Sequence, residues 1–458
     1  LTVAFLPVFN DVQRRAGFSE AQRVMRQALA VFPSLTAVLT AVCIVAAEPL
    51  VLAFAKGFTE VPGKFELAVM LTRVMFPYLV LISFVALAMG ALNARKRFAS
   101  SAASPLLFNI VHIASMVTLG QLVEPPMLGV ALGVLLGGAA EVVLQAGALW
   151  RAGLLLVPRF AFGPEVRRIL ALMAPAVAAL AVYQINIMLL RLFASFLSEG
   201  SVTYLFNADR FMQLPLGVFA IAIATASLPA FSDAHSDGAH AGLGQRFADS
   251  WRLTNFVIVP AAAGLFALAL PIITTVYQHG RFDHVMAEHT AHALEAFALG
   301  LPAIASIRVA GQVFFAIKDT RTPVACGAVG LAANLALAPL LAVHFDFVGL
   351  ALSVSASAWL QLAVQLFFLR RRLGGLGLRR VAVGALRDAV AAGVMAVPVV
   401  LIATLGEWEQ GLKAQNLVVL TVALLAGVLI LAAAQAALRS PELRLVVQGV
   451  AHRLRRRV

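Results

Sequence analysis

The pair Asp209 and Arg210 stands inside a long apolar stretch, between INIMLLRLFASFL and LGVFAIAIATASLPAF. A lone arginine in hydrocarbon costs about 2.5–3.5 kcal/mol on insertion scales, so such a residue pairs or faces a wet cavity. Asp209 points about 100° away from Arg210 on a helix, whereas Asn207 and Gln213, three residues to either side, share its face. A guanidinium on a polar stripe suits an anion such as a phosphate or diphosphate, which it binds as a bidentate fork. A structural bridge from Arg210 to a neighbouring helix is the alternative.

Other ionisable side chains also lie within apolar runs, where each needs a physical reason. Arg308, in SIRVAGQVFF, is a second cationic candidate for the anion site. Arg73, in LTRVMFPYLV, is a third, although it could instead snorkel to the membrane interface. Glu141 and Glu295 are intramembrane acids, and each could carry a proton or a coupling cation or be a protonated structural group.

Catalytic motifs are not found in the sequence, so we expect this protein not to be an enzyme. The sequence has no nucleophile constellation, phosphate-binding loop or metal-ligand cluster, and its loops are short and mainly basic. His284, His289 and His292 cluster at one helix end, where a solvated interfacial face explains them better than a metal site. We therefore expect no cofactor and no metal, and the identity of a coupling ion stays open.

Lipid must surround most of this chain, because 61% of its 458 residues are hydrophobic and only 12% are charged. A soluble domain carries about 25% charged residues. Several apolar runs reach the length of about 20 residues that spans a bilayer. The sequence predicts an all-α polytopic membrane protein, with the tail of one helix at 1–9 and spans at 28–54, 66–93, 103–123, 126–150, 168–196, 203–231, 249–277, 288–317, 323–343, 346–370, 382–405 and 415–438.

The basic residues set the orientation of these spans. Most of the 35 lysines and arginines fall in alternate connections and in the C-terminal tail, all on one side of the membrane. The positive-inside rule places that side, and with it the C-terminus, in the cytoplasm. This bias accounts for the net charge of +13 without a nucleic-acid partner.

The sequence also repeats itself at an offset of 222 residues. LPVFND at 6–11 reappears as LPAFSD at 228–233. With a drift of the offset to 225, ALNARKRFASSAASPLLFN parallels FAIKDTRTPVACGAVGLAAN. The offset covers an even number of helices, so the halves share one orientation about an axis along the membrane normal. A substrate site is expected at the interface of the halves, near the membrane midplane.

The repeat predicts three parts of the chain. These are an N-terminal lobe over 1–150, a second lobe over 151–373, and two additional transmembrane helices with a basic tail over 374–458. The second lobe has residues 168–227 before its LPAFSD, whereas the first has five residues before its LPVFND. We therefore expect about 55 residues, one whole helix and most of a second, to be missing at the start. A first residue Leu1 instead of methionine agrees with this.

Three segments carry a resemblance to a known family: NADRFMQLPLGVFAIAIATASLPAFSD, LTRVMFPYLVLISFVALAMGALNARKRF and FASFLSEGSVTYLFNADR. They resemble the MurJ (MviN) lipid II flippases, of the multidrug/oligosaccharidyl-lipid/polysaccharide exporter superfamily, and the resemblance covers essentially the whole chain. It implies two six-helix lobes and two extra C-terminal helices, which resemble the part that forms a lipid-facing groove for a prenyl tail. It also implies alternating-access export of the undecaprenyl-diphosphate-linked peptidoglycan precursor, from the cytoplasmic to the periplasmic leaflet of the bacterial inner membrane.

The same resemblance implies particular site residues. The family's essential arginine of the eighth helix falls on Arg210, within the ADR motif, and a basic family residue falls on Arg308. The family often has an acid where this chain has the uncharged Gln213, so a role that needs a charge is not expected at this position. The family's other essential arginines belong to the first helix and the start of the second, before the first residue of this sequence.

Three functions fit an apolar chain with arginines inside its spans. A lipid II flippase is the leading one, with lipid II and membrane lipids as partners and coupling to an ion or to the membrane potential. An ion-coupled drug or metabolite antiporter of the same superfamily is the alternative, although that kind usually has twelve helices and depends on intramembrane acids. A membrane scaffold would leave the buried arginines unexplained. We expect a monomer, with association with the cell-wall synthesis machinery left open.

Overall fold

Helices form wherever the chain is apolar, because a backbone in lipid can satisfy its N–H and C=O groups only internally. The computed structural model describes residues 1–154, 157–236 and 240–444, and within these ranges it contains helices and no strand. In this described part, eight helices are long and apolar enough to cross a membrane, or up to ten if each of two bent pairs is one span. The predicted all-α membrane architecture is confirmed. Arg439 and Arg444 of the predicted basic tail are described, and the rest of it, from 445 onward, lies outside the described residues.

The chain divides into two compact units, Leu1–Leu192 and Phe193–Val458. The helices of the first unit are α1 (Thr2–Val45), α2 (Ala47–Ala55), α3 (Lys64–Met75), α4 (Tyr78–Ala94), α5 (Ala99–Leu122), α6 (Pro126–Arg151) and α7 (Pro164–Ser195), which ends just beyond it. Gly17, with a φ of 83°, breaks α1 between two helical stretches. Most of α7 therefore belongs to the first unit. The division of the lobes at 150/151 stays a prediction.

The second unit contains the remaining helices. They are α8 (Ser201–Pro215), α9 (Ile221–Ser236), α10 (His240–Ala267), α11 (Ala269–Tyr277), α12 (His284–Ala298), α13 (Leu301–Ala316), α14 (Arg321–Leu373), α15 (Leu378–Ala403) and α16 (Ala414–Ala437). A π-helical turn, Leu216–Ala220, follows Pro215 and leads into α9. Asp346, with φ 49° and ψ −138°, breaks α14, so this one element holds both spans predicted at 323–343 and 346–370.

The internal repeat is visible in the helix boundaries of the two units. Helices α2 and α11 are both nine residues long, and their first residues lie 222 positions apart. Each follows a break in its span, at Ala46 and at Leu268. Lys96 and Lys318, just after α4 and α13, have positive φ angles of 58° and 61° at the same offset. The predicted drift to 225 is therefore wrong at this turn, because the left-handed residue that ends each helix fixes the register.

Helix α6 packs on α5 through a stripe of small residues. Gly129, Gly133 and Gly137 recur every four residues, and a Cβ on Gly129 would lie 2.5 Å from the backbone of Leu119. Helices in lipid associate through such close van der Waals packing, since burial from water no longer drives them together. One further turn along the same helix, this close approach also encloses Glu141, which is 5% exposed.

The two helices outside the repeat, α15 and α16, pack on each other, and α15 packs on α10. Asp388 of α15 accepts a hydrogen bond from Gln435 of α16 at 2.9 Å. Glu442, whose side chain is 7% exposed, forms ion pairs with Arg252 of α10 at 2.5 Å and with Arg387 of α15 at 3.9 Å. We call these five residues the polar cluster of the additional helices, because they connect α15, α16 and the residues after α16 to α10.

Candidate functional site

Arg210 lies on the exposed face of α8. The helix starts after Gly200, which has a φ of 93°, and buries Tyr204 and Met212 on its other side. The Arg210 guanidinium carbon stands 4.6 Å from the centre of the Phe206 ring, one turn earlier. Among the described residues, no carboxylate forms a salt bridge with this guanidinium. The ring steadies the cation by cation–π attraction and leaves its N–H fork available to an anion.

The other members of the predicted polar stripe differ in their contacts. Gln213 donates from Nε2 to Asp209 Oδ1 at 3.3 Å, across one turn of α8. The amide therefore turns toward Asp209, whereas the Arg210 guanidinium stacks on the preceding turn. Asn207 is half-buried on the same helix. Arg210 is thus the member of this stripe that presents a charge outward from α8.

Arg308 lies on α13, a little over two turns before the helix ends. It is half-buried, and the residues that follow it, Val309 and Ala310, are fully buried. Two residues earlier on α13, the Ser306 hydroxyl accepts a hydrogen bond from Trp251 Nε1 at 2.7 Å. Helix α13 packs on α9, α10 and α14 and on the π-helical turn after α8. Arg308 and Arg210, the predicted diphosphate contact, therefore belong to the same unit but to different helices.

Arg73 is engaged in an ion pair. Its Nη2 lies 2.9 Å from Glu48 Oε1, with side chains 44% and 62% exposed. This pair joins α3 to α2 within the first unit. The pair provides a structural reason for a charge on this apolar span, which the sequence could not show because Glu48 precedes Arg73 by 25 positions.

Glu141 on α6 is buried and hydrogen-bonded. The Ser104 hydroxyl of α5 donates to its Oε1 at 2.8 Å. One turn further along α6, Gln145 Nε2 donates to the Ser100 carbonyl oxygen at 3.1 Å. Because both bonds link α5 to α6, this part of the first unit is held together by polar groups beside the glycine stripe.

Glu295 on α12 is half-buried and opens onto an apolar cavity of about 840 Å³. The cavity is bounded by α10, α12, α13 and α15, and its lining consists of Val259, Ala262, Ala263, Phe266, Ala267, Glu295, Ala298, Leu299, Pro302, Ala396, Val397, Val400 and Leu401. The contribution of α15 makes one additional helix a wall of this groove. A single carboxyl group is the only ionisable side chain in that lining.

The three histidines of α12 make separate contacts. No group of three or more metal-binding side chains lies among the described residues. His284 Nε2 lies 3.3 Å from Glu288 Oε1, whereas His289 turns to another face and packs edge-on against Tyr204, 5.1 Å between ring centres.

Sequence reasoning did not predict the contact of Phe206 with Arg210. An aromatic residue four positions before an arginine on one helix could have indicated it.

The class of this protein follows from the fold and these side chains. Apolar helices that break within their spans, an internal sequence repeat and charged groups on those spans are typical of a polytopic membrane transporter. The model of one family, described as lipid II flippase MurJ, matches residues 1–430. The probable lipid II flippase MurJ of Vibrio cholerae serotype O1 is 33% identical over 369 residues, 79% of this chain and 70% of the relative. The chain belongs to the lipid II flippase MurJ family.

Solved structures agree on the fold. Lipid II flippase MurJ in an inward closed conformation matches with a TM-score of 0.76 at 21% identity, covering 95% of this chain and 88% of the other. An inward-facing multidrug resistance MATE family transporter of the MOP superfamily matches with a TM-score of 0.66 at 15% identity, covering 82% and 87%. At these identities the likeness supports the architecture, and the site must be judged by its own side chains.

Proposed function

We propose that this protein moves lipid II, the undecaprenyl-diphosphate-linked peptidoglycan precursor, from the cytoplasmic to the periplasmic leaflet by alternating access. The observation that carries the proposal is Arg210, a guanidinium on an apolar span that a ring steadies and no described carboxylate neutralises. Leaving such a charge in the span is costly unless an anion or water meets it. A diphosphate is the anionic part of lipid II and matches the bidentate N–H geometry of arginine.

The groove beside α15 supports an isoprenoid substrate. Its lining is apolar apart from Glu295, and its volume of about 840 Å³ lies within the usual range for ligand pockets, about 300–1,000 Å³. We propose that this groove holds part of the prenyl tail. The additional helices would then serve the lipid part of the substrate, while Arg210 serves its diphosphate.

The orientation and assembly state are part of the same proposal. The basic residues at the end of α14, Arg370–Arg372, and at the start of α15, Arg379 and Arg380, belong to the cytoplasmic side under the positive-inside rule. The C-terminus is then cytoplasmic, and the protein acts as a monomer in the bacterial inner membrane. Glu141 and Glu295 are the residues we propose for ion coupling, with Arg308, Arg73, Asp209, Asn207 and Gln213 as further substrate contacts.

A second candidate is ion-coupled antiport of an apolar drug or metabolite. It is favoured by one feature, the carboxylate of Glu295 at an apolar groove, which could attract a lipophilic cation. Arg210 weighs against it, because an outward guanidinium repels such a substrate. If the antiporter reading were right, expression would raise drug tolerance without supporting growth of cells that lack a lipid II flippase.

Complementation tests the proposal. The protein is expressed at normal level in cells depleted of their own lipid II flippase, together with any coding sequence upstream of Leu1. We expect growth with the wild type, none with Arg210→Ala, and growth with the control Arg281→Ala, whose arginine is exposed in the connection between α11 and α12. Full rescue by Arg210→Ala, at equal membrane levels, would overturn the role of this residue in substrate binding.

A further inference from the structure

Four titratable side chains form a stripe down one face of α12: His284, Glu288, His292 and Glu295. Their spacings of four, four and three residues keep them within about 80° of one another around the helix. The stripe begins at the first residue of α12 and descends about 16 Å along the axis to Glu295. Solvation of a helix end explains its first members. It does not explain Glu295, which lies among apolar side chains.

The upper part of the stripe is polar and connected. His284 Nε2 lies 3.3 Å from Glu288 Oε1, and its Nδ1 lies 3.3 Å from Gln278 Oε1. Gln278 is itself fixed by donating from Nε2 to the Glu409 carbonyl oxygen at 2.7 Å. The Glu288 side chain is 46% exposed and His292 is exposed. A proton arriving at His284 therefore meets a hydrogen-bonded acceptor that leads down the helix.

The lower end of the stripe contacts two cavities. Glu295 lines both the groove of about 840 Å³ and a second cavity of about 320 Å³. His292 also lines the second cavity. The remaining lining side chains, from α10, α13, α14 and α15, carry no ionisable group. His292, one turn above on the same face, is therefore the group in these linings that can exchange a proton with Glu295.

Titratable groups on neighbouring elements lie near the upper end of the stripe. Tyr204 of α8 stacks on His289, which projects from another face of α12. Asp283 caps the start of α12, accepting from a backbone N–H at 2.9 Å. Asp346, at the break of α14, accepts a hydrogen bond at 2.6 Å from a serine hydroxyl in the connection before α8. None of these groups lines either cavity.

Glu295 also stands about one turn before a break in its span. Helices α12 and α13 meet at a bend of 43°. There, a Cβ on Gly300 would lie 2.7 Å from the backbone of α14. The repeat offset of 222 places Arg73 at the equivalent position of the first unit, where Glu48 neutralises it. The counterpart of Glu48 in the second unit is Leu270, so the repeat supplies Glu295 with no counter-ion.

We propose that Glu295 is a proton-binding site, reached from the outer end of α12 through His284, Glu288 and His292. In the last step an N–H bond of the His292 imidazolium breaks, and an O–H bond forms on the Glu295 carboxylate. The neutral acid then leaves the groove apolar throughout, so that it accepts a hydrocarbon chain, and the carboxylate opposes that chain. This inference rests on the proposed function for its prenyl occupant and its inside–outside direction, and it identifies the coupling ion as a proton.

Infrared difference spectroscopy of the full chain in lipid vesicles, with no lipid II present, tests this site. A shift from about pH 8 to about pH 5 crosses the ordinary pKa of histidine, the proton donor in the proposed path. We expect the carbonyl band of a protonated carboxylic acid, which Glu295→Gln removes and the control Glu60→Gln, at an exposed carboxylate of the first unit, retains. After a rapid acid jump, His292→Phe should delay this band roughly tenfold or more, whereas the same-helix control His289→Phe should not.

The outcomes separate this inference from the function on which it rests. An unchanged band in Glu295→Gln overturns the proton site, even in a protein that translocates lipid II. An unchanged rate in His292→Phe overturns the proposed path. A band that depends on Glu295 in a chain that fails to translocate lipid II supports the proton site and counts against the proposed function alone.

Discussion

Replacing Glu442 with glutamine should weaken the packing of α15 and α16 on α10. Glu442 is 7% exposed in its side chain and faces two guanidiniums, from Arg252 at 2.5 Å and Arg387 at 3.9 Å. Its Oε2 also accepts the Ser440 hydroxyl at 2.9 Å. Glutamine keeps the size and one acceptor but removes the negative charge. Two mostly buried cations then lose the carboxylate that pairs with both.

The magnitude follows from the burial of the three side chains. Breaking a buried ion pair by removing one partner costs about 3–5 kcal/mol, because the other charge is left unpaired. The arginine side chains here are 19% and 24% exposed, and this residual solvation favours the lower end. We expect Glu442→Gln to lower the free energy of unfolding by about 3 kcal/mol. Replacing Arg252 and Glu442 together by leucine should cost less than the single change, because neither charge of the closest pair remains.

Unfolding in mixed micelles by titration with sodium dodecyl sulfate measures these free energies. Hydrogen exchange of α15 and α16 then shows whether the loss is local. The exposed neighbour Arg444 provides a control, and Arg444→Gln should change stability by less than about 0.5 kcal/mol. A loss below about 1 kcal/mol in Glu442→Gln, or a larger loss in the double variant, would refute the reasoning.

Three further predictions concern other contacts. Gly300→Ala should destabilise the bend before α13 by about 1–3 kcal/mol, measured by the same titration, since its Cβ would lie 2.7 Å from the backbone of α14. The Thr322 hydroxyl, and then the Thr322 N–H and a nearby arginine, hold the pKa of Asp319 below its ordinary 3.8, so its stabilisation is present above that value and lost as the pH falls through the lower folded value. Asp319→Asn should therefore flatten the acid limb of stability measured against pH. Arg73→Ala should cost less than about 1 kcal/mol in unfolding titrations, because its pair with Glu48 is exposed.

Each of these predictions has a contrary outcome. Gly147 has open space around its Cβ position, so Gly147→Ala is the control for steric insertion, and equal losses at both glycines would contradict the packing argument. An acid limb that is unchanged in Asp319→Asn would contradict the stabilising role of that carboxylate. A loss of several kcal/mol in Arg73→Ala would show that its ion pair is more than a surface contact.

The helices and their repeat could be predicted from the sequence, because apolar length and matched segments are local signals. The break at Ala46 and the break at Leu268 could not, since no proline or glycine marks either residue itself. The register of the repeat at Lys96 could not be predicted either. The backbone shows that Lys96 corresponds to Lys318, since both have a positive φ, whereas matching of residue types favoured an offset larger by three residues.

The candidate site was predictable in its residues but not in their partners. Arg210 stood out as a charge in an apolar run, and the spacing to Phe206 was available on the same helix. The pairing of Glu141 with Ser104 depends on how α5 meets α6, across 37 positions of the chain. The groove at Glu295 draws on four helices, and no spacing within one segment could reveal it.

Transport of lipid II by Arg210 variants tests the central claim most directly. Wild type, Arg210→Lys and Arg210→Ala are reconstituted in vesicles, and the arrival of labelled lipid II in the opposite leaflet is measured. A charge-assisted hydrogen bond contributes about 1.5–3 kcal/mol, so Arg210→Ala should weaken lipid II binding roughly ten- to hundredfold and reduce transport accordingly. Arg210→Lys should fall between them, because it keeps the charge and loses the fork. Equal transport by Arg210→Ala and wild type would contradict the account.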